Sequence, residues 1–230
     1  MRGGQRVGCI IPALNEQDAI AKVVASVPAW VDAVIVADNG STDGTAAVAR
    51  AAGAVVADAP ERGYGAACLA GLAALPAVDI IVFVDGDFSD HPEDMHMLVD
   101  PIVAGRAAFV IGSRTLGTVE AGALTPQQRF GNWLATGLVG LFWSTQFSDL
   151  GPFRAIRTDV LGRLGVADPT FGWTIEMQIK AARAGVAIIE RPARYRRRIG
   201  QSKISGTLVG SVRAGQKILA IIAREALSPR

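Results

Sequence analysis

Val82-Phe83-Val84-Asp85-Gly86-Asp87-Phe88-Ser89-Asp90 is the stretch from which the rest of the chain can be read. Ile80 to Phe83 is apolar and suits a buried strand. Val84 continues it, and two carboxylates follow one residue apart with Gly86 between them. An apolar strand that ends in acids places charge at its carboxyl end, where open α/β sheets bind ligands. Oxygen ligands there suit Mg²⁺ or Mn²⁺, which bridge one or two carboxylates to a substrate's phosphates. The same spacing also occurs in solvated acidic turns, so the flanking chain has to decide.

Upstream, residues 7–11 form a first apolar strand, followed by Pro-Ala-Leu-Asn-Glu. A helix starting at Asn15 or Glu16 carries Ile20, Val23, Val24 and Val27 at helical spacing. Residues 31–37 read as a second strand, ending in Asp38-Asn39-Gly40-Ser41-Thr42-Asp43-Gly44, a run dense in turn and N-cap types. An Ala-rich helix over 45–52 and a short strand over 54–57 come next. Arg62-Gly63-Tyr64-Gly65 then opens a helix to about Leu75. The acidic strand spans 79–84, a helix starting at Pro92 runs to Ala104, and a fifth strand covers 108–112. Strands alternating with helices predict a mostly parallel sheet covered on both faces.

The second part differs. A Gly-rich stretch, 113–125, precedes an aromatic helix over 126–147 with Phe130, Trp133, Leu134, Leu138, Leu141, Phe142 and Trp143. A turn and strand follow Asp149, a helix opens near Phe171, and a strand covers 186–189. Then come a basic run, Arg194-Tyr195-Arg196-Arg197-Arg198, and a tail helix over 207–227. Neither G-x-G-x-x-G nor G-x-x-x-x-G-K-[ST] stands at the first strand–helix turn, which argues against a Rossmann-type dinucleotide site or a P-loop. Any nucleotide is expected on the loops after strands one, two and four.

The chain has 230 residues, enough for one domain or one domain with an appendage. Half of it is hydrophobic and can bury a sizeable core. A net charge of +2 gives no global field for nucleic acid. Cys9 and Cys68 stand in apolar surroundings and read as core residues. His91 and His96 read as a turn residue and a helix-face residue, since no second cluster of ligands accompanies them. With no signal peptide and no run of membrane-spanning length, a cytoplasmic protein is expected, with contact at a membrane surface left open.

The segments IIPALNE, VADNGSTDGT, RGYGAACLAGL, VDGDFSDHPED, IGSRTLG, QRFGNWLAT, SDLGPFRAIR, GWTIEMQIKAA and RRRIGQSKISGT occur in this order. Together they resemble the family-2 inverting glycosyltransferases of the GT-A fold, most closely the polyprenyl-phosphate mannosyl- and glucosyltransferase branch of the dolichol-phosphate-mannose-synthase type. The resemblance covers about 7–206. It implies one catalytic domain over 1–206, with a nucleotide-sugar half (1–113) and an acceptor half (114–206), and a C-terminal helix over 207–230. By the same resemblance Pro12, Leu14 and Glu16 line the nucleotide, and Ala37 and Asn39 hold base and ribose. Most relatives carry Asp where this chain has Asn39. An amide both donates and accepts where a carboxylate only accepts, which leaves the base preference open. Asp85, Gly86 and Asp87 match the metal and diphosphate motif. Ser89 stands where the mannosyl branch often has Gln, which weakens a side-chain ligand there and weakens GDP-mannose as donor.

Arg114 and Arg129 match arginines associated with the acceptor's phosphate, a role that suits guanidinium forks. The alternative is two surface arginines near loops. Arg197 and Lys203 match the basic residues of a loop that closes over the donor's diphosphate; the alternative is a solvated basic face. The implied reaction moves a hexose from UDP-glucose or GDP-mannose, with Mg²⁺ or Mn²⁺, to a polyprenyl phosphate or another acceptor. A phosphate acceptor is already an anionic nucleophile, whereas a hydroxyl needs a base. Asp149 and Glu176 are the candidate bases; each could instead be an N-cap or the partner of an arginine. Trp173 and Phe171 would wall the sugar or pack the core. The aromatic helix and the tail helix, with Arg213, Lys217 and Arg224, could lie on an anionic membrane or cover the sheet, and covering is the stronger reading for the tail. A sugar nucleotidyltransferase would need a Gly-rich, Arg-Lys-bearing loop after strand one, which is missing. A non-catalytic binding subunit sits poorly with intact Asp85, Asp87, Arg197 and Lys203.

Overall fold

A computed structural model describes residues 1–200 and 208–227, with side chains of the last helix from residue 215 onward. Its strands are β1 (Val7–Ala13), β2 (Ala33–Asp38), β3 (Val55–Asp58), β4 (Ile80–Phe83), β5 (Phe109–Ser113), β6 (Arg154–Arg157) and β7 (Ile188–Pro192). They form one seven-stranded sheet in the order β3-β2-β1-β4-β6-β5-β7. All pairings are parallel except those of β6, which runs antiparallel to both β4 and β5. β4 is therefore central and buried along its whole length, which is why it reads as a continuous apolar run rather than an alternating one.

The helices are α1 (Ile20–Ser26), α2 (Thr45–Ala51), α3 (Tyr64–Ala74), α4 (His96–Val103), α5 (Pro126–Trp143), α6 (Thr158–Leu164), α7 (Trp173–Arg183) and α8 (Leu208–Leu227). Side chains alternate across each strand, so β1 serves two cores. Cys9 and Ile11 pack with α1, α2 and α4, through Ile20, Ala49 and Leu98. Ile10 faces the opposite layer, with Cys68 of α3, Val139 of α5, Trp173 and Ile175 of α7 and Ile221 of α8.

Several boundaries shift from the sequence reading. β1 runs on to Ala13 because Pro12 and Ala13 still pair with Ala37 and Asp38. The first helix starts at Ile20, not at Asn15 or Glu16. Asn15 takes a left-handed φ of 52°, and its side-chain oxygen accepts the Thr42 N–H at 2.8 Å, so this stretch is a loop tied to the end of β2. The predicted helix from Pro92 begins as a 3₁₀ turn, Pro92–Asp94, before α4. α5 opens with a capping box between Thr125 and Gln128 and stops at Trp143, where Ser144 turns left-handed with φ 53°. α6 has no counterpart in the sequence reading. The tail helix covers the core: Ile221 and Ile222 are buried, and α8 packs on α5 and α7. Among the described residues no helix is long and apolar enough to cross a membrane.

Candidate active site

The carboxyl ends of β1, β2 and β4 open into a cleft of about 310 Å³. Asp85, Gly86 and Asp87 form one wall, directly after β4. Pro12, Leu14 and Glu16 form its floor at the end of β1, while Asn39, Arg62 and Gly63 close the far end beyond β2. Thr170 and Phe171, Tyr64 and Arg198 complete it. Gly86 is needed for this approach: a Cβ there would stand 3.0 Å from the Pro12 carbonyl oxygen.

The two acids are held in different ways. The Tyr64 hydroxyl donates to Asp85 Oδ1 at 3.1 Å. Ser89 donates twice to Asp87 Oδ1, from its backbone N–H at 2.9 Å and its hydroxyl at 2.6 Å. Ser89 is thus turned toward Asp87 and orients that carboxylate. Arg198 bridges Asp87 Oδ2 at 3.2 Å and Glu16 Oε1 at 2.9 Å. Burial, with the charge of Asp87 added, pushes Asp85 up to about 7, against the Tyr64 hydrogen bond and Arg198. Asp90 is driven well above the carboxylate range by burial and by the same two acids. Adjacent buried acids of this kind have an electrostatic cost that a hard divalent cation would relieve, and their oxygens are the ligand type that Mg²⁺ and Mn²⁺ take. Among the described residues no cluster of three or more ligating side chains exists. Asp85 and Asp87 therefore fit a cation whose remaining positions are filled by water and a bound diphosphate.

The basic run reaches this wall as an extended segment. The Arg196 N–H donates to the Ser89 carbonyl and the Ile199 N–H to the Asp87 carbonyl, both at 2.9 Å. Side chains alternate along such a segment. Arg196 stacks on Phe88, its Cζ 3.4 Å from the ring centroid, and donates to the Phe88 and Asp90 carbonyls at 2.6 and 2.8 Å. Arg198 enters the cleft from the same side. Arg197 points the other way, its Nε donating to the Ala121 carbonyl at 2.7 Å and its guanidinium near Glu120. Arg197, expected at the diphosphate, thus lies off the cleft lining, where Arg198 stands instead. Lys203 lies outside the described residues.

The other expected residues divide. Pro12, Leu14, Glu16, Asn39, Asp85, Gly86 and Asp87 all line the cleft. Ala37 does not, since its methyl group is buried with Ala59 and Ala67 beneath α3. Asn39 lines the far end, but its amide is turned to the backbone. Its Nδ2 donates to the Glu61 carbonyl at 2.6 Å, and the Gly63 N–H donates to its Oδ1 at 2.7 Å. Arg114 grips Asp149 side-on, Nε and Nη2 donating at 2.8 and 2.7 Å, and its backbone N–H adds a third bond at 2.7 Å. Burial disfavours the Arg114 charge, yet Asp149 outweighs it and raises the pKa. The pair is a buried strut between the loops after β5 and before β6, away from the cleft lining. Arg129 sits exposed in the first turn of α5. Glu176 is buried, accepts the Ala167 and Asp168 N–H groups at 3.1 and 2.7 Å, and pairs with Lys180 at 2.8 Å and Arg224 at 3.2 Å. Of the two candidate bases, both take the ion-pair alternative. Trp173 is core, its ring 6.1 Å from that of Phe83 in an edge-on arrangement, whereas Phe171 lines the cleft.

Tyr64, Arg62 and Arg198 were not picked out by sequence reasoning. The apolar surroundings of Tyr64 conceal its role, and only the strand parity of 196–199 tells Arg198 from Arg197.

The family profile for glycosyl transferase family 2 matches residues 9–165. An uncharacterized glycosyltransferase of Mycobacterium tuberculosis is 36% identical over 217 residues, covering 91% of this chain and 94% of the relative. A dolichyl-phosphate hexose transferase of Haloferax volcanii is 30% identical over 221 residues, covering 95% and 94%. The structure of glucosyl-3-phosphoglycerate synthase from Mycobacterium tuberculosis, in complex with Mn²⁺, UDP-glucose and phosphoglyceric acid, matches with a TM-score of 0.80 at 26% identity. That match covers all of this chain and 82% of the other.

Proposed function

Because the chain belongs to glycosyl transferase family 2, we propose that it is a metal-dependent, inverting hexosyltransferase that moves glucose or mannose from a nucleoside-diphosphate sugar to a polyprenyl phosphate at a membrane surface. Its fold is GT-A. The observation that carries the proposal is the meeting of Asp85, Asp87 and Arg198 in one cleft at the carboxyl end of β4.

Asp85 and Asp87 would hold Mg²⁺ or Mn²⁺, which when bound offsets negative charge on the departing diphosphate. Arg198 stands beside them with a guanidinium suited to phosphate oxygens and to charge that grows as the leaving group departs. Tyr64 and Ser89 keep the two carboxylates facing the cleft. Phe171 and Thr170, which also line the cleft, would wall the sugar.

The carboxylates of the cleft, among the described residues, support a phosphate acceptor. They are Glu16, Asp85 and Asp87, and Glu16 and Asp87 are already bridged by Arg198. Asp149 and Glu176 are committed to cations elsewhere. A nucleophile that arrives deprotonated, such as a phosphate monoester, needs no further base, and positioning supplies the rate. Arg129, exposed at the head of α5, offers a guanidinium to that phosphate, while Arg114 supports the acceptor side through Asp149. The donor half would span 1–113 and the acceptor half 114–206.

A second reading, transfer to a soluble phosphorylated hydroxyl acid, is supported by the whole-chain likeness to glucosyl-3-phosphoglycerate synthase. The deciding experiment measures nucleoside diphosphate release from UDP-glucose and GDP-mannose, with and without Mn²⁺, offering polyprenyl phosphate in vesicles or phosphoglyceric acid in solution. Release that requires Mn²⁺ and the lipid supports the first reading. Release with phosphoglyceric acid alone selects the second. No release with any acceptor would remove the transferase reading.

A further inference from the structure

Resting on that donor reading, we propose that Arg198 exchanges partners inside the cleft. Its guanidinium holds Asp87 Oδ2 against a divalent cation, and a diphosphate draws it off that oxygen while Glu16 keeps it at the cleft wall. Metal binding and nucleotide binding are thereby coupled through one side chain, with Glu16 as its positioning residue.

Both oxygens of Asp87 are engaged. Oδ1 accepts the Ser89 N–H at 2.9 Å and the Ser89 hydroxyl at 2.6 Å. Oδ2 faces Arg198 Nη1 at 3.2 Å. The two kinds of partner differ in charge. Ser89 is neutral and leaves the carboxylate its attraction for a cation, whereas Arg198 brings a full positive charge to the other oxygen. A hard cation such as Mg²⁺ takes carboxylate oxygens at about 2.1 Å. A guanidinium bonded to the same oxygen would stand within a few ångströms of it, where like charges repel strongly in a partly buried site. Arg198 and a divalent cation therefore compete for Oδ2.

Only the side chain has to move. The backbone is tied on both sides of Arg198, by the Arg196 N–H on the Ser89 carbonyl and the Ile199 N–H on the Asp87 carbonyl, both at 2.9 Å. Glu16 is fixed as well. Its N–H donates to the Thr45 hydroxyl at 2.8 Å, and its carbonyl accepts the Ala19 and Ile20 N–H groups at 3.0 and 2.8 Å. Its Oε1 takes Arg198 Nη2 at 2.9 Å. A guanidinium that leaves Asp87 thus stays tethered at Glu16, turning about a stationary stem. Arg198 Nε is buried and, among the described residues, has no acceptor. That leaves a donor for the oxygens of a phosphate, which guanidinium forks suit. Arg197 has no part in this, since it is held outside the cleft by the Ala121 carbonyl and Glu120.

A diphosphate that takes Arg198 frees Oδ2, so it strengthens cation binding beyond what its own oxygens add. By thermodynamic reciprocity the cation strengthens diphosphate binding by the same factor.

The test is Mn²⁺ binding, read by its paramagnetic signal, to the full chain, Arg198→Gln and Arg197→Gln, each alone and with UDP or GDP. Glutamine keeps much of the side chain's volume and removes its charge. Without nucleotide, Arg198→Gln is expected to bind Mn²⁺ at least about tenfold more tightly than the full chain, the worth of one hydrogen bond between charged groups. Arg197→Gln should stay within about twofold, as an exposed pair contributes little. The gain in Mn²⁺ affinity on adding nucleotide should be smaller in Arg198→Gln than in the full chain. Glu16→Gln should weaken UDP or GDP binding in Mn²⁺ where Arg198 is present and leave it no weaker in the Arg198→Gln background, a dependence that a merely structural role would not show. Unchanged or weaker Mn²⁺ binding in Arg198→Gln would overturn the proposal, and so would equal tightening in Arg197→Gln. Weakening by Glu16→Gln in both backgrounds would place Glu16 on the nucleotide itself and remove its positioning role. If the full chain binds no Mn²⁺ with either nucleotide, the donor reading falls as well.

Discussion

Arg198 reaches Asp87 and Arg197 does not, and one residue of parity separates them. The same economy governs the acids: Asp85 is oriented by a phenol and Asp87 by a serine, each through one carboxylate oxygen. Residues that orient metal ligands in this way typically change metal affinity by 10–100-fold when removed. Tyr64→Phe and Ser89→Ala should therefore each weaken Mn²⁺ binding by about tenfold or more at unchanged melting temperature, measurable by calorimetry on the nucleotide-loaded protein. Arg198→Ala should lower turnover by about 10²-fold, the usual cost of losing one donor to a developing charge. Arg197→Ala should leave turnover within about threefold, since an exposed ion pair contributes little. A reversed order between the two arginines would relocate the diphosphate. Asp87→Ala is expected to keep the fold and abolish nucleoside diphosphate release. The sequence located Asp85 and Asp87 by type and spacing. It could not show that Tyr64, which is separated from them by a whole helix and strand, closes over Asp85.

Among the elements, α5 behaves differently from its neighbours. Its inner face buries Ala135, Thr136 and Val139, as an amphipathic helix should. Its outer face exposes Phe130, Trp133 and Leu141, which recur at helical spacing and share one stripe. Arg129 is the one charged residue of the helix, and no acid accompanies it. An aromatic stripe with a cation and no carboxylate suits an anionic lipid surface. Flotation with anionic vesicles is expected to carry the protein, and Phe130→Ser with Trp133→Ser to release it while the melting temperature holds. Absence of flotation in the unaltered chain would favour the soluble acceptor. The tail helix was expected to cover the sheet; it packs on α5 and α7, burying Ile221 and Ile222. Of its three basic residues, Lys217 pairs with Asp168 at 2.8 Å and Arg224 with Glu176 at 3.2 Å, and the Arg213 side chain lies outside the described residues.

For the molecule as a whole, those ion pairs lock α8 to the loop that carries Thr170 and Phe171 into the cleft. Ile221→Ala in α8 should cost about 2–4 kcal/mol and lower Tm by roughly 5–15 °C. Glu176 joins α7, α8 and the 167–168 backbone at one point. Burial opposes its charge, but the Lys180 ion pair and the two backbone N–H groups win and hold its pKa below the usual value. A lowered carboxylate pKa means stability that is present at neutral pH and lost as pH falls through the folded value. Glu176→Gln should destabilise the protein at pH 7 by about 1–3 kcal/mol, the cost of leaving buried donors poorly matched. It should also flatten the decline in Tm below about pH 4.5, the region where an unperturbed glutamate titrates. An equally steep acid decline in the variant would show that Glu176 is not the controlling group.

Local pattern was enough for the parallel β1–β4 half, the cleft at its carboxyl edge and the acids that follow β4. Each depends on periodicity or on residue type within a few positions. The antiparallel entry of β6 between β4 and β5, the pairing of Arg114 with Asp149 and the anchoring of Glu176 depend on segments far apart in the chain, and spacing cannot encode which of two distant charges meet. Parity likewise decided Arg198 over Arg197, because only the register of residues 196–199 against 87–89 defines which side chains face the acids.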